Sequence, residues 1–102
     1  MYYVTYKNVL RPDKKREDFM RWLRIYWPVQ QQWGARSSEL WNGIDEDAKV
    51  LFCRYAVESI KRWNQEAVSP KAEKLIRELS DIIDIDQMSI KITVSFSGDY
   101  NN

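Results

Sequence analysis

Residues 2–9 alternate, with Tyr2, Val4 and Tyr6 on one side and Tyr3, Thr5, Lys7 and Val9 on the other. A period of two, carried by aromatic and β-branched residues, predicts a strand. Arg11-Pro12-Asp13 stops it, and Asp13 is placed to cap a helix. The period then changes. Phe19, Leu23, Tyr26 and Trp27 recur at helical spacing, with Trp22 and Ile25 widening the stripe. Pro28 lacks the N–H that continues a helical ladder, so it is expected to end or kink this helix. Residues 30–33 would then resume as a distorted turn, with Gly34 marking the exit. Residues 36–42 read as a shorter and more polar strand, with Ser37, Glu39 and Trp41 on one side and Ser38 and Leu40 on the other.

Asn42-Gly43 is a strong turn signal, extended into a polar loop by Asp45-Glu46-Asp47. Residues 49–57 form the next strand, and its hydrophobes on both faces (Leu51, Phe52, Cys53, Tyr55, Val57) suit a central position. Ile60, Trp63 and Ala67 keep helical spacing and predict a short helix. Ser69-Pro70 reads as cap and first helical position. Leu75, Ile76, Leu79, Ile82 and Ile83 make an apolar stripe, with Lys71, Lys74, Arg77, Glu78 and Asp81 outside it. The last strand is predicted to turn Met88, Ile90, Ile92, Val94 and Phe96 inward and Ser89, Lys91, Thr93, Ser95 and Ser97 outward, before a loose tail from Gly98 to Asn102.

The order β-α-β-β-α-β predicts an α+β, ferredoxin-like fold. Right-handed crossovers put both main helices on one face of a four-stranded antiparallel sheet, in the strand order fourth, first, third, second. The central strands are then residues 2–9 and 49–57, the two most apolar on both sides. The 102 residues read as a single domain, with one β-α-β motif in 1–43 and a similar one in 48–98. The likeness between the motifs is one of pattern. Tyr3 and Tyr6 match Phe52 and Tyr55 at a constant offset, whereas Arg21-Trp22 echoes Arg62-Trp63 at a different one.

Composition narrows the chemistry. No histidine is present, which removes the usual general base near neutral pH and the commonest metal ligand. The sole cysteine, Cys53, reads as a small core hydrophobe. Together these exclude Ser-His-Asp and Cys-His arrangements within the chain and argue against zinc. One cysteine rules out an intrachain disulfide and points to a cytoplasmic setting. The N-terminal residues lack a signal peptide's charged start and cleavage site, and no apolar run approaches the roughly 18 residues of a membrane span. A net charge of +1 creates no global field toward nucleic acid or membrane. The basic run Arg11, Lys14, Lys15, Arg16, Arg21 and Arg24 is interleaved with Asp13, Glu17 and Asp18, which suits a solvated helix face better than a phosphate-binding one. Gly34, Gly43 and Gly98 are too far apart to form a phosphate loop.

Five Trp, six Tyr and three Phe exceed what so small a core needs. Trp22, Trp27, Trp33 and Trp41 flank the end of the first helix, the loop and the second strand. That strand is expected at a sheet edge, where a peptide can add and Trp rings can anchor it. The alternative is that these rings fill the core and cover the loop. Arg54 interrupts an apolar central strand. It either binds a carboxylate or phosphate from an open sheet face or pairs with an acidic neighbour such as Glu39.

Arg11-Pro12, Phe19, Trp22, Trp27-Pro28 and Gly34, followed by Tyr55, Ser59-Ile60, Trp63 and Ser69-Pro70, resemble the dimeric α/β-barrel superfamily, in particular EthD-like and NIPSNAP-like domains. The resemblance implies sheet faces that pair across a dimer and enclose small ligands. Relatives of this kind include cofactor-free oxygenases and haem-degrading enzymes. EthD-like members often carry a histidine before the proline that ends the first helix. Trp27 stands there instead, and indole offers no basic nitrogen. In size and aromatic-rich, charged style the chain also resembles small orphan proteins of archaeal filamentous viruses, which would imply an accessory role in the host cytoplasm.

Taken together, these readings lead to a non-enzymatic protein- or peptide-interaction module, probing its partner through a groove between the two motifs or an exposed sheet edge. Tyr3, Trp27, Trp33, Trp41, Arg54 and Trp63 are the expected contact residues, the rings as anchors and Arg54 as a polar latch. A homodimer is expected, with no metal, no cofactor, no membrane and no nucleic acid. The competing reading is a small aromatic-ligand-binding or cofactor-free oxygenase-like dimeric α/β barrel. A closed apolar cavity of a few hundred Å³ would favour it.

Overall fold

Alternation in the four extended runs produces one antiparallel sheet with two unlike faces. A computed structural model describes residues 1–43 and 47–95. Its elements are β1 (Tyr2–Val9), α1 (Arg16–Gln32), β2 (Ala35–Trp41), β3 (Val50–Val57), α2 (Ile60–Ala67), a 3₁₀ turn (Pro70–Ala72), α3 (Glu73–Ser80), a second 3₁₀ turn (Ile85–Gln87) and β4 (Ser89–Val94). The sheet order is β2-β3-β1-β4, as right-handed crossovers require. The two motifs therefore interleave. β3 of the second motif lies between β2 and β1 of the first. No groove separates the motifs within the sheet. Any space between them lies between their helices.

Register divides the side chains. Val4 pairs with Tyr55, Tyr6 with Cys53 and Asn8 with Leu51, and these residues face the helices. Tyr3, Thr5 and Lys7 pair with Ala56, Arg54 and Phe52 on the opposite, uncovered face. The core lies between the covered face and the helices, built on Val4, Leu51, Tyr55 and Val57 from the sheet and Phe19, Trp22, Trp63, Leu75 and Leu79 from the helices. Trp22 Nε1 donates to the Leu75 carbonyl at 3.0 Å, tying α1 to α3.

Several local expectations change. α1 starts at Arg16, with Lys15 rather than Asp13 as its cap, and the Asp18 carboxylate accepts from the Lys15 N–H at 2.8 Å. That bond is the main reason the Asp18 carboxyl lies below its ordinary range. Pro28 does not end the helix, which continues to Gln32. The missing N–H would have bonded the Arg24 carbonyl, and both residues are on the exposed side, where water replaces the bond. The helix ends at Gly34, whose φ of 101° a side chain would strain. The Arg62 guanidinium of α2 donates to the Gln32 carbonyl, capping that end from the second motif.

α2 follows Ser59, whose hydroxyl accepts from the Arg62 N–H at 3.2 Å. α3 stops at Ser80, so Ile82 and Ile83 lie beyond it, and Ile83 instead bridges to Leu10 at the end of β1. On β4 the pattern predicts burial that does not occur. Ile90, Ile92 and Val94 share the helix-side face through pairing with Tyr6, Val4 and Tyr2, yet remain about half exposed because no helix extends over this edge strand. Asp45 and Glu46 of the expected loop, Phe96 and Ser97 of the expected strand, and the tail from Gly98 to Asn102 lie outside the described residues. Among the described residues, no helix is long and apolar enough to cross a membrane.

Candidate functional site

Between the covered sheet face and the helices lies a cavity of about 350 Å³. The sheet supplies its floor through Tyr6, Asn8, Cys53 and Tyr55, inward positions on the two central strands. α1 supplies one wall through Phe19, Trp22 and Gln30, continued by its C-cap Trp33. α2, α3 and the first residue past α2 close over it with Trp63, Ala67, Val68, Leu75, Ile76 and Leu79. Its lining reaches solvent at Val68 (84% exposed), Ile76 (41%) and Ile90 (54%), which marks an apolar mouth between the α2–α3 corner and β4. The first motif's helix thus faces the second motif's helices across the cavity.

Aromatic packing shapes the walls. The Tyr55 and Trp63 rings lie 4.9 Å apart, and Trp33 meets Trp63 edge-on at 5.5 Å. Tyr6 meets Tyr55 edge-on at 5.8 Å. Two hydrogen bonds hold these rings in place. Trp63 Nε1 donates to the Tyr6 hydroxyl at 2.9 Å, and Gln30 Nε2 donates to the Tyr55 hydroxyl at 2.9 Å. Two polar atoms stay unpaired although their residues are 2% exposed: Asn8 Nδ2 and Gln30 Oε1.

Among the described residues, no Asp, Glu, Lys or Arg lines the cavity. Its titratable groups are held neutral. Burial pushes the Cys53 thiol up to about 11, an effect the Tyr55 hydroxyl partly offsets. Burial likewise raises Tyr6, against the bond it accepts from Trp63. Tyr55 lies well above its ordinary value, chiefly through burial and then through Cys53, with Gln30 opposing. All three therefore keep their protons at neutral pH, where they can donate hydrogen bonds but are poor bases. Among the described residues, no three His, Cys, Asp or Glu side chains gather as metal ligands would.

The six residues expected from the sequence to contact a partner divide between the two faces. Trp33 (4% exposed) and Trp63 (2%) are core residues lining the cavity, so a protein partner cannot reach them. Trp27 is half-buried and stacks on Tyr55 at 6.5 Å, outside the lining. Tyr3, Trp41 and Arg54 lie together on the uncovered face. Arg54 bonds Glu39 at 2.7 Å, the acidic neighbour expected for it, and its guanidinium lies 4.8 Å from the Tyr3 ring centre and 5.8 Å from that of Trp41. Trp41 stacks on Phe52 at 5.7 Å.

Tyr6, Asn8, Gln30, Cys53 and Tyr55 were not singled out as site residues, although two of them carry a readable signal. Asn8 continues the inward series Tyr2, Val4, Tyr6, and Gln30 continues the helical series Phe19, Tyr26. Each places an amide where the pattern calls for an apolar side chain.

No family model and no curated protein sequence matches the chain. Solved structures do match in fold. SnoaB, a cofactor-independent oxygenase from Streptomyces nogalater, aligns with a TM-score of 0.74 at 6% identity, covering 95% of this chain and 94% of that one. An antibiotic biosynthesis monooxygenase aligns with a TM-score of 0.69 at 7% identity, over 95% of this chain and 100% of that one. Rv0793 from Mycobacterium tuberculosis aligns at 0.67 and 16% identity, over 95% and 96%. The fold is accordingly ferredoxin-like and shared with these structures, as the sequence pattern predicts.

Proposed function

We propose that this protein binds a small, uncharged aromatic compound in the interior cavity. The observation that carries this reading is a cavity of about 350 Å³ with an apolar mouth, walled by aromatic rings and lined, among the described residues, by a few polar groups and no charge. That volume is at the small end of ligand pockets, roughly 300–1,000 Å³. Aromatic walls gain from excluding water around a planar ligand, and the polar groups orient it. Ala67, half-buried in the lining near the mouth, supplies the test. Ala67→Phe fills the cavity from α2. Naphthalene quenches tryptophan emission of the original chain and not of this variant, at equal folded content by circular dichroism. Unchanged quenching overturns the reading.

A second step, oxygenation of the ligand without a cofactor, is favoured by the likeness to SnoaB and to the monooxygenase. In such chemistry the substrate is the reductant. An acidic methylene between two aromatic rings gives one proton to water, the carbanion passes electrons to dioxygen, one oxygen atom becomes the ketone, and the other leaves as water with the proton returned from solvent and the second methylene hydrogen. The neutral groups of this cavity contribute hydrogen bonds to that anion rather than a base, so the substrate must be acidic in its own right. Oxygen uptake with a tricyclic ketone that carries an acidic methylene between two aromatic rings tests this step. Uptake equal to the protein-free rate removes it.

The uncovered sheet face supports protein contact, and we assign that contact to a second copy of the chain. Tyr3, Trp41 and Phe52 offer apolar rings there, and Arg54 and Glu39 already neutralise each other. This keeps a protein-binding role for Tyr3, Trp41 and Arg54, and removes it from Trp33 and Trp63.

A further inference from the structure

We infer that Asn8 and Gln30 form a specificity pair, reading the two ends of a neutral ligand that carries a hydrogen-bond acceptor at one end and a donor at the other. The inference rests on the ligand-binding reading above and deepens it.

Buried polar atoms almost always find partners, so two orphans lining one cavity are informative. Asn8 Nδ2 is a donor without an acceptor, and Gln30 Oε1 is an acceptor without a donor. Both residues are 2% exposed and both line the cavity, so bulk water does not satisfy them. Gln30 is fixed in orientation because its other amide atom donates to the Tyr55 hydroxyl. Tyr6, on the sheet floor between the two, accepts from Trp63 and keeps its own proton at neutral pH through burial, so it is a further donor toward the cavity.

The two ends are spatially distinct. Asn8 is the next inward position after Tyr6 on β1, about 7 Å further along the strand. The Tyr55 hydroxyl held by Gln30 lies by Cys53, the residue paired with Tyr6. A ligand carbonyl at the Asn8 end and a hydroxyl at the Gln30 end complete all the unmet bonds at once. A carboxylate or ammonium does not, because the lining offers no opposite charge and entry would strip its water.

The test uses the full chain and a naphthalene series read by quenching of tryptophan emission, since Trp22, Trp33 and Trp63 line the cavity. The series is an acetylnaphthol with its groups on opposite rings, the acetylnaphthalene without the hydroxyl, the naphthol without the acetyl, naphthalene itself, and the corresponding hydroxynaphthoate. The expected result is that each hydrogen-bonding group tightens binding about tenfold, and that the carboxylate binds more weakly than naphthalene at neutral pH. Asn8→Leu erases the gain from the acetyl group alone, and Gln30→Leu erases the gain from the hydroxyl alone. Should either variant fail to fold, the series on the unaltered chain decides the matter. Equal affinity across the neutral probes overturns the specificity pair and leaves the ligand-binding reading standing. Absence of binding by every probe overturns both.

Discussion

The two faces of the sheet come from the same central strands, and each holds a buried polar atom without a partner, Arg54 Nε on the uncovered face and Asn8 Nδ2 and Gln30 Oε1 on the covered one, but their surroundings differ. On the uncovered face, Arg54 meets Glu39 at 2.7 Å within a half-exposed cluster containing Tyr3, Trp41 and Phe52. Among the described residues no charged side chain lines the cavity on the covered face, and Asn8 and Gln30 are buried there with atoms left unpaired. Contact with solvent makes the first arrangement inexpensive. Burial makes the second costly, about 1–3 kcal/mol for each unmet group. A surface ion pair is ordinary, whereas orphaned amides beside an apolar cavity call for something to occupy it. The difference points to the covered face for small-molecule chemistry and to the uncovered face for protein contact.

The sharpest way to break this contrast is Trp63→Ala. Trp63 is fully buried, packs on Tyr55 and Trp33, and donates to Tyr6. Its truncation is expected to cost about 3–5 kcal/mol in urea unfolding and to abolish naphthalene quenching. A loss under about 1 kcal/mol would mean that the covered face is not the packed core described.

Alkaline pH separates the faces next. Burial raises Cys53, Tyr6 and Tyr55, so the folded chain holds protons that the unfolded chain releases. Stability from these groups is complete below their unfolded values, near 9 for the thiol and 10 for the phenols. It falls as pH rises from there toward the folded values, about 11 for Cys53. Each such group contributes a slope of about 1.4 kcal/mol per pH unit. Urea midpoints should therefore decline above pH 9, and Cys53→Ala should remove the earliest part of the decline. A midpoint independent of pH through this range would contradict the burial.

On the uncovered face, Trp41→Ala is expected to leave the fold intact and weaken self-association by more than about 1.4 kcal/mol, tenfold in the dimer dissociation constant. Sedimentation over a concentration series measures it. A monomer at every concentration, before any substitution, would remove the assignment of this face to a second copy. The smallest effect belongs to Glu39→Gln. Its carboxylate is half exposed, so losing the pair should cost less than about 1 kcal/mol and diminish further in salt.

Much of the fold was legible in the chain. The alternation in residues 2–9 and 49–57, the helical stripe from Phe19 and the Ser69-Pro70 signal all recur at the expected places, and the crossover rule yields the strand order. Pro28 misled, since its cost depends on whether the Arg24 carbonyl can reach water. Ile90, Ile92 and Val94 misled as well, since a strand's alternation says which way its residues point and not whether a helix covers them. The candidate site was much less legible. Conspicuous tryptophans drew attention toward a contact surface, while the informative residues were two amides interrupting apolar series.

Local periodicity and turn chemistry act over a few residues, so the linear order of residues already specified the elements, their sequence and the faces of each strand. Whether an aromatic ring became wall, core or surface depended on which helix packed over which strand, a matter of contacts between residues far apart in the chain. Gln30 meets Tyr55 across 25 positions and Trp63 meets Tyr6 across 57. The cavity and its unmet hydrogen bonds exist only where those distant segments meet, and no window along the sequence contains them.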